Sequence, residues 1–592
     1  MALRIADAPA VPVPDRPRAE RASAALNGGD WSAVSALWAE ANALEDHHER
    51  YLALRELAEA GFAAPRGSAG ALARRFLATG RGLLAALVVE PREPVLLNYA
   101  GIALYEIGEL TGAAALFAAA ERLAPGETAA ASNRREIDRR RSACISVDRN
   151  VPAAVRAELG DLRRRATDIA AAARPATGMR LSLCMIVRDE EAHLGQCLAS
   201  VQGVVDEMVV VDTGSTDRTK EIAESFGARV IDFPWTGSFS EARNVSFDAA
   251  GGDWLIYLDA DEVLVAEDRE ALRELTGRTW REAFHLVETS YVGALESGAG
   301  VNHNALRVFR NRPQYRFEGR IHEQILPTLP TKLPERFERT GVRLEHYGYL
   351  GVVRDAKRKA DRNIELLERQ AQEGVDDAFQ AFNLGSEYLA LGRDEEARRH
   401  LDRAWRMVAD DASGTHYPFA PVLVSRLVRA RRGVGDAEAA LRLIDEGLER
   451  FPGFTDLVLE HARIAQDRGD DATARERLER CLEMGDAPSG YTATMGSGTF
   501  VAMFELAELL RRQGDLAGAE ELLRRSLREH PRFVQAVDPL AGVMLRRGAS
   551  ADAVVAEIGE CVAEMTPGVR FILGMALYEA GLAQDAEPHF RA

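Results

Sequence analysis

The stretch Leu181-Ser-Leu-Cys-Met-Ile-Val187, followed by Met208-Val-Val-Val-Asp212 and then by Trp254-Leu-Ile-Tyr-Leu258, decides the fold. Each is a short apolar run that ends in polar or acidic residues: Arg188-Asp-Glu-Glu191, Thr213-Gly-Ser-Thr-Asp217 and Asp259-Ala-Asp-Glu262. Runs of this length between polar residues read as buried strands. The pattern predicts strands near 181–187, 207–212, 229–233 and 253–258, with helices near 190–203, 217–226 and 239–250. Such alternation requires right-handed crossovers and a mostly parallel, Rossmann-like α/β sheet. Open sheets of this kind take ligands outside the carboxyl ends of their strands, so the acids collected there line a cleft. Past Glu262 the pattern reads as a helix near 267–276, strands near 282–291, 305–310 and 341–346, and a long helix from 352 to 372.

On both sides of this region the chain is helical. Leu97, Ala100, Gly101, Leu104, Ala113, Phe117, Ala120 and Pro125 fall at offsets 4, 7, 8, 11, 20, 24, 27 and 32 of one window. That spacing resembles a tetratricopeptide repeat, whose period is about 34 residues. Its small residues let two antiparallel helices approach, and its Pro stops the second. The template recurs at Leu384–Ala404, Val424–Pro452, Val458–Cys481 and Met503–Pro531, with weaker copies at Leu540–Gly559 and Leu573–Phe590. Successive copies predict an all-α solenoid. We therefore expect disorder over 1–20, an N-terminal helical region over 21–175 and an α/β domain over 180–350. A connecting helix over 351–375 and a C-terminal solenoid over 376–592 follow. The chain ends inside the second helix of the last repeat, which is expected to be frayed or covered by a partner.

A length of 592 residues requires several domains. The net charge of −18 speaks against a general nucleic-acid or anionic-membrane binder. The five cysteines lie far apart, the amino terminus lacks the apolar core of a signal peptide, and no run of about 18 apolar residues occurs. A cytoplasmic protein without a membrane span is expected.

The motifs support specific chemistry. Asp212 ends a strand, where its carboxylate can accept from a base N–H or a ribose hydroxyl; the plainer alternative is a well-capped strand-to-helix turn, with Asp217 at the N-cap position. Asp259 and Asp261, two residues apart at a strand end, can reach one hard divalent cation, which keeps most of its waters and takes one or two carboxylates plus phosphate oxygens. The plainer alternative there is an acidic turn in an acidic chain. Four apolar residues, Leu255 to Leu258, deliver the pair to the rim of the core and weaken it.

Cys184–Glu191, Asp212–Asp217, Phe233–Trp235, Phe239–Asn244 and Leu258–Glu262 together resemble the bacterial inverting glycosyltransferases of family 2, with the GT-A fold. Within that family they are most similar to a subgroup that includes tetratricopeptide-linked enzymes and peptide S-glycosyltransferases of the sublancin type. The resemblance implies that Asp212 contacts the uracil or ribose of a UDP-sugar and that Val187, Arg188 and Glu190 line the base pocket. It further implies that Arg243 meets the nucleotide or diphosphate, that Asp259 and Ala260 face the ribose, and that Asp261 binds Mn²⁺ or Mg²⁺ with Asp259. Where the subgroup often has Lys-Asn, this chain has Arg188-Asp189, which leaves the base-pocket details open.

Enzymes of this fold commonly take a further metal or diphosphate ligand from a downstream His. Both His322 and His346 match subgroup motifs, and His322 is the preferred choice. Glu323 is a candidate base, although neighbours on a strand face opposite ways. Asp261, Glu323 and His322 are thus the catalytic candidates. The reaction implied is one displacement at the anomeric carbon, giving inverted configuration. A repeat array fused to such a domain suggests a peptide or protein acceptor. Alternatives are a cell-surface polysaccharide or small-molecule acceptor, an inactive scaffold, or repeats that only make a homodimer. A nucleotidyltransferase would need a Gly-rich loop where Arg188-Asp-Glu-Glu191 stands.

Overall fold

A computed structural model describes residues 17–63, 68–126, 128–142, 151–292, 300–349, 353–375, 377–411, 417–488 and 490–591. The chain forms two compact units: Met1–Met179 with Arg273–Ala283 and Leu329–Glu338, and the remainder.

In the first unit helices run from Pro17–Gly28 to Leu159–Ala172. Helix therefore begins inside the segment expected to be disordered, and residues 1–16 lie outside the described residues. The repeat read from Leu97 to Pro125 is the helix pair Pro94–Glu106 and Leu110–Leu123. A Cβ on Gly101 would lie 2.5 Å from the Phe117 ring, so only glycine permits this approach. Trp280 and Leu333, from the middle of the chain, join the same apolar core. Arg336 is 1% exposed there; its Nη1 donates to both Glu93 oxygens at 3.0 Å and to the Trp280 carbonyl at 2.6 Å, and Cζ lies 4.0 Å from the centre of the Tyr51 ring.

The second unit is built on a nine-stranded sheet. Its strands are β1 Leu181–Val187, β2 Glu207–Asp212, β3 Arg229–Asp232, β4 Trp254–Tyr257, β5 Glu262–Leu264, β6 Ala283–Val292, β7 Gly300–Arg310, β8 Phe337–Tyr349 and β9 Ala493–Thr494. They lie in the order β3-β2-β1-β4-β7-β6-β8-β5, with β9 paired to β7. The sheet is mixed. β1 to β4 are parallel, as their intervening helices demand, but β7 meets β4, and β8 meets β5, antiparallel. The parallel strands are the near-continuous apolar runs expected when both faces are covered. β7 and β8 mix polar residues, such as Asn302-His-Asn304 and Glu338-Arg-Thr340, with apolar ones and extend well beyond the spans their apolar residues suggest.

After helix Val353–Gln372 the described residues form six helix pairs, from Ala378–Ala390 with Asp394–Ala409 to Pro567–Glu579 with Ala583–Arg591. The repeat turns have a shared logic. Gly435, Gly469 and Gly514 take positive φ where the first helix of a pair ends, and Asp436, Asp470 and Asp515 then accept from the backbone N–H three residues on. One inter-repeat connection is unusual: residues 485–499 supply β9, which pairs Val301 with Thr494 and Asn302 with Ala493. β4 covers only Trp254 to Ile256 against Val308 to Arg310, so β9 meets the part of β7 that β4 does not reach.

Candidate active site

Parallel register sets the site. Val187 pairs with Asp212, and Cys184 with Tyr257, so the carboxyl ends of β1, β2 and β4 share one edge. Val187 is buried, and its carbonyl accepts from Thr213 N and Oγ1 at 3.0 and 3.1 Å. Arg188 is exposed and lies 3.8 Å from the Asp189 carboxylate. Asp189 has φ +54° and accepts at 2.7 Å from Thr216 N. Asn and Asp both tolerate that left-handed backbone, so the departure from Lys-Asn keeps the loop's conformation. The Glu190 N–H donates to Thr219 Oγ1 at 2.7 Å. Asp217 accepts from Thr219 N and Oγ1 and from Glu191 N, and the Thr219 hydroxyl in particular lowers its pKa. It stands one residue before the N-cap position, because the helix is Thr219–Ser225 and Arg218 precedes it.

Asp212 is 1% exposed. Its Oδ1 accepts from Gly214 N and Ser215 N at 3.0 Å each, while Oδ2 is buried without a partner among the described residues. A buried carboxylate oxygen left unpaired is costly, which marks it as a place for a ligand donor.

A second group surrounds Arg243, on helix Phe239–Ala249. Its Nε donates to Glu323 Oε1 at 2.9 Å and its Nη2 to Asp259 Oδ1 at 3.2 Å. Nη1 is buried without a partner among the described residues, and Cζ lies 4.9 Å from the centre of the Tyr257 ring. Burial would lower the guanidinium pKa, but Asp259 and Glu323 raise it further. For Asp259, burial pushes upward and Arg243, Arg307 and His346 outweigh it, so its carboxyl stays below the usual range.

A third group is centred on His346. Antiparallel pairing of β5 with β8 sets His346 opposite Glu262, one residue from Asp261. His346 Nε2 is 3.4 Å from Asp261 Oδ1, and Nδ1 is 3.1 Å from Glu288 Oε1. Burial alone would depress the imidazole, but Asp261 and Glu288 lift it to about 10. Arg307 lies between two buried acids, donating from Nη2 to Glu262 Oε1 and, at 2.7 Å, to Glu288 Oε2. Burial raises Glu262 to about 8 despite Arg307. Ala260, between the two aspartates, is buried, and Asp259 N donates to Glu262 Oε2 at 2.9 Å, which closes the turn.

The structure thus places Asp212 at the strand-end edge shared by β1, β2 and β4, joins Arg243 to Asp259 and Glu323, and joins Asp261 to His346. His322 goes elsewhere. Segment 317–324 is a tight loop closed by a bridge from Glu318 to Gln324, with positive φ at Gly319 and His322. His322 Nε2 lies 3.5 Å from Glu387 on the first solenoid helix pair, while Glu323 faces Arg243. The two neighbours point apart, through a loop rather than a strand. For a cation, Asp261 Oδ1 and His346 Nε2 have the fitting donor types and spacing, and His322 does not share that location. Glu288, His303 and Arg307 escaped the sequence reading. The available signal was a charged residue inside a strand with period-two apolar residues, as in Phe284-His-Leu-Val-Glu288.

Residues 182–282 match the family described as Glycosyl transferase family 2, and residues 501–532 match Tetratricopeptide repeat. A TPR repeat-containing protein of Synechococcus elongatus is 34% identical over 270 residues, which are 44% of this chain and 64% of that protein. The SPbeta prophage-derived glycosyltransferase SunS of Bacillus subtilis is 26% identical over 269 residues, 44% of this chain and 61% of that protein. The chain spans less than two thirds of the length of these curated relatives. Among solved structures, glucosyl-3-phosphoglycerate synthase from Mycobacterium tuberculosis, in complex with Mn²⁺ and UDP-glucose, is 26% identical. That match covers 19% of this chain and 44% of the other, with a TM-score of 0.17. Among the described residues no helix is long and apolar enough to cross a membrane.

Proposed function

We propose that this chain, which carries a family 2 glycosyltransferase domain joined to tetratricopeptide repeats, moves a sugar from a UDP-sugar to a peptide or protein acceptor held by the repeats. The observation that carries the reading is two buried polar atoms that have no partner among the described residues, Asp212 Oδ2 at the sheet edge and Arg243 Nη1 on helix Phe239–Ala249. The first suits a base or ribose donor and the second a diphosphate oxygen, and both have rigid neighbours that preorganise them.

Asp261 and His346 would hold Mn²⁺ or Mg²⁺, with Asp259 beside them. When bound, the ion supplies Lewis-acid stabilisation of the departing diphosphate. Arg243, fixed by Asp259 and Glu323, adds a positive charge on the same side without reorganising. Glu323, held by Arg243 through Oε1, is our candidate for removing the acceptor proton as the acceptor attacks the anomeric carbon. Such single displacement inverts the configuration. The acceptor assignment is supported by the solenoid's attachment beside the cleft, through β9 on β7 and through Glu387 near His322. We place the reaction in the cytoplasm, in keeping with the buried free thiols of Cys184, Cys197, Cys481 and Cys561.

Thermal-shift measurement of the full chain with UDP and Mn²⁺ tests the proposal. Stabilisation that needs both, and that disappears in Asp261→Ala, is expected. No shift with any nucleotide diphosphate would end it, and it would favour an inactive scaffold.

A further inference from the structure

Resting on the reading of Asp261 and His346 as cation ligands, we infer that Glu288 is the positioning residue of that site. It fixes the His346 ring so that Nε2 faces Asp261, and His303 and Arg307 hold Glu288 in place.

Four contacts of one buried carboxylate carry this. Glu288 is 2% exposed and lies on β6, between β7 and β8 in the sheet. Its Oε1 takes His346 Nδ1 at 3.1 Å, with the Ser290 hydroxyl donating to the same oxygen at 3.2 Å. Its Oε2 takes Arg307 Nη2 at 2.7 Å, and His303 Nε2 lies 3.4 Å from it. Both oxygens are therefore occupied, and the ring nitrogen that Oε1 holds, Nδ1, is the one that does not face Asp261.

Distance alone offers a different reading. The ligand atoms of Glu262, Glu288 and His346 lie within 4.8 Å of one another and could themselves surround an ion. The Arg307 guanidinium stands between Glu262 and Glu288, however, and supplies the positive charge that such an ion would bring. A second cation there would meet strong repulsion at short range in a buried site. The cluster therefore supports the Asp261–His346 site and does not replace it. A carboxylate on the far nitrogen fixes the imidazole tautomer and raises its basicity, and loss of such a partner typically lowers metal affinity about 10–100-fold.

The test is Mn²⁺ titration of the full chain, followed by the loss of the free-ion electron paramagnetic resonance signal, together with the visible spectrum of the Co²⁺-loaded protein. Glu288→Gln keeps the shape of the side chain and should weaken Mn²⁺ binding about 10–100-fold, with a changed Co²⁺ spectrum. A merely structural role would not move the spectrum. His303→Gln, at a partly exposed position, should weaken binding several-fold and guards against a Glu288 variant that does not fold. Wild-type affinity and spectrum in both variants overturn the inference while leaving the cation site intact, provided that Asp261→Asn still abolishes binding. Absence of Mn²⁺ binding by the unaltered chain overturns both the inference and the reading beneath it.

Discussion

Replacing Arg336 with Met should loosen the first unit, and by an amount that depends on pH. Arg336 touches Glu93, the Trp280 carbonyl and the face of Tyr51, and it is 1% exposed. Breaking a buried ion pair by removing one partner costs about 3–5 kcal/mol. The Trp280 carbonyl loses its donor, at about 1 kcal/mol, and the cation–π contact contributes about 1 more. Methionine returns some of this by packing in the same volume, which leaves a net loss of about 3–5 kcal/mol at pH 8. Glu93 modulates the figure. Burial, opposed by Arg336, raises its pKa from 4.5 to about 7. A group raised in the folded state contributes stability that is full below its unfolded value and is lost as pH rises through the folded one. At pH 5.5 Glu93 therefore carries its proton in the folded protein, and loss of the guanidinium costs less than at pH 8. Hydrogen exchange in helix His47–Phe62, which carries Tyr51, reads the opening free energy locally and does not require the whole chain to unfold in one step. A loss under about 1 kcal/mol at pH 8, or a larger loss at pH 5.5, would refute the buried-pair account.

In the solenoid, Gly385→Val would place Cβ 2.6 Å from Leu401 Cγ and 3.1 Å from the Ala397 carbonyl oxygen. An overpacking cost of about 1–3 kcal/mol should appear as a lower thermal midpoint; an unchanged midpoint would mean that the helix pair yields easily. Asp212→Ala should abolish the UDP-dependent increment in thermal midpoint, measured against the variant's own ligand-free midpoint because the Gly214 and Ser215 N–H groups lose their acceptor, and a retained increment would remove Asp212 from the nucleotide site. Glu323→Gln should reduce kcat about 10²–10⁴-fold with a near-normal KM for the donor if the carboxylate accepts the proton. An equal loss in KM alone would make it a tether for Arg243.

The parallel half of the sheet was legible because strands covered on both faces are written as apolar runs. Met208 to Val211 and Trp254 to Leu258 admit little else. The antiparallel half was less so: β7 includes Asn302, His303, Asn304 and Arg307, and β8 includes Glu338, Arg343 and Glu345, and their partners are set by register that one strand does not encode. The same limit explains the two histidines. Both match along the chain, and the preference for His322 over His346 is the one that register overturns. Only the pairing of β5 with β8 carries His346 to Asp261, whereas the turn at Gly319 sends His322 toward the solenoid.

The short strand β9 also governs how this protein can be cut. Removing everything after the connecting helix would strip the partner from Val301 and Asn302 and bare a run of backbone donors and acceptors. An isolated sheet domain would then offer itself to other chains along that margin, so a soluble minimal fragment has to keep residues 485–499 together with the helices that brace them.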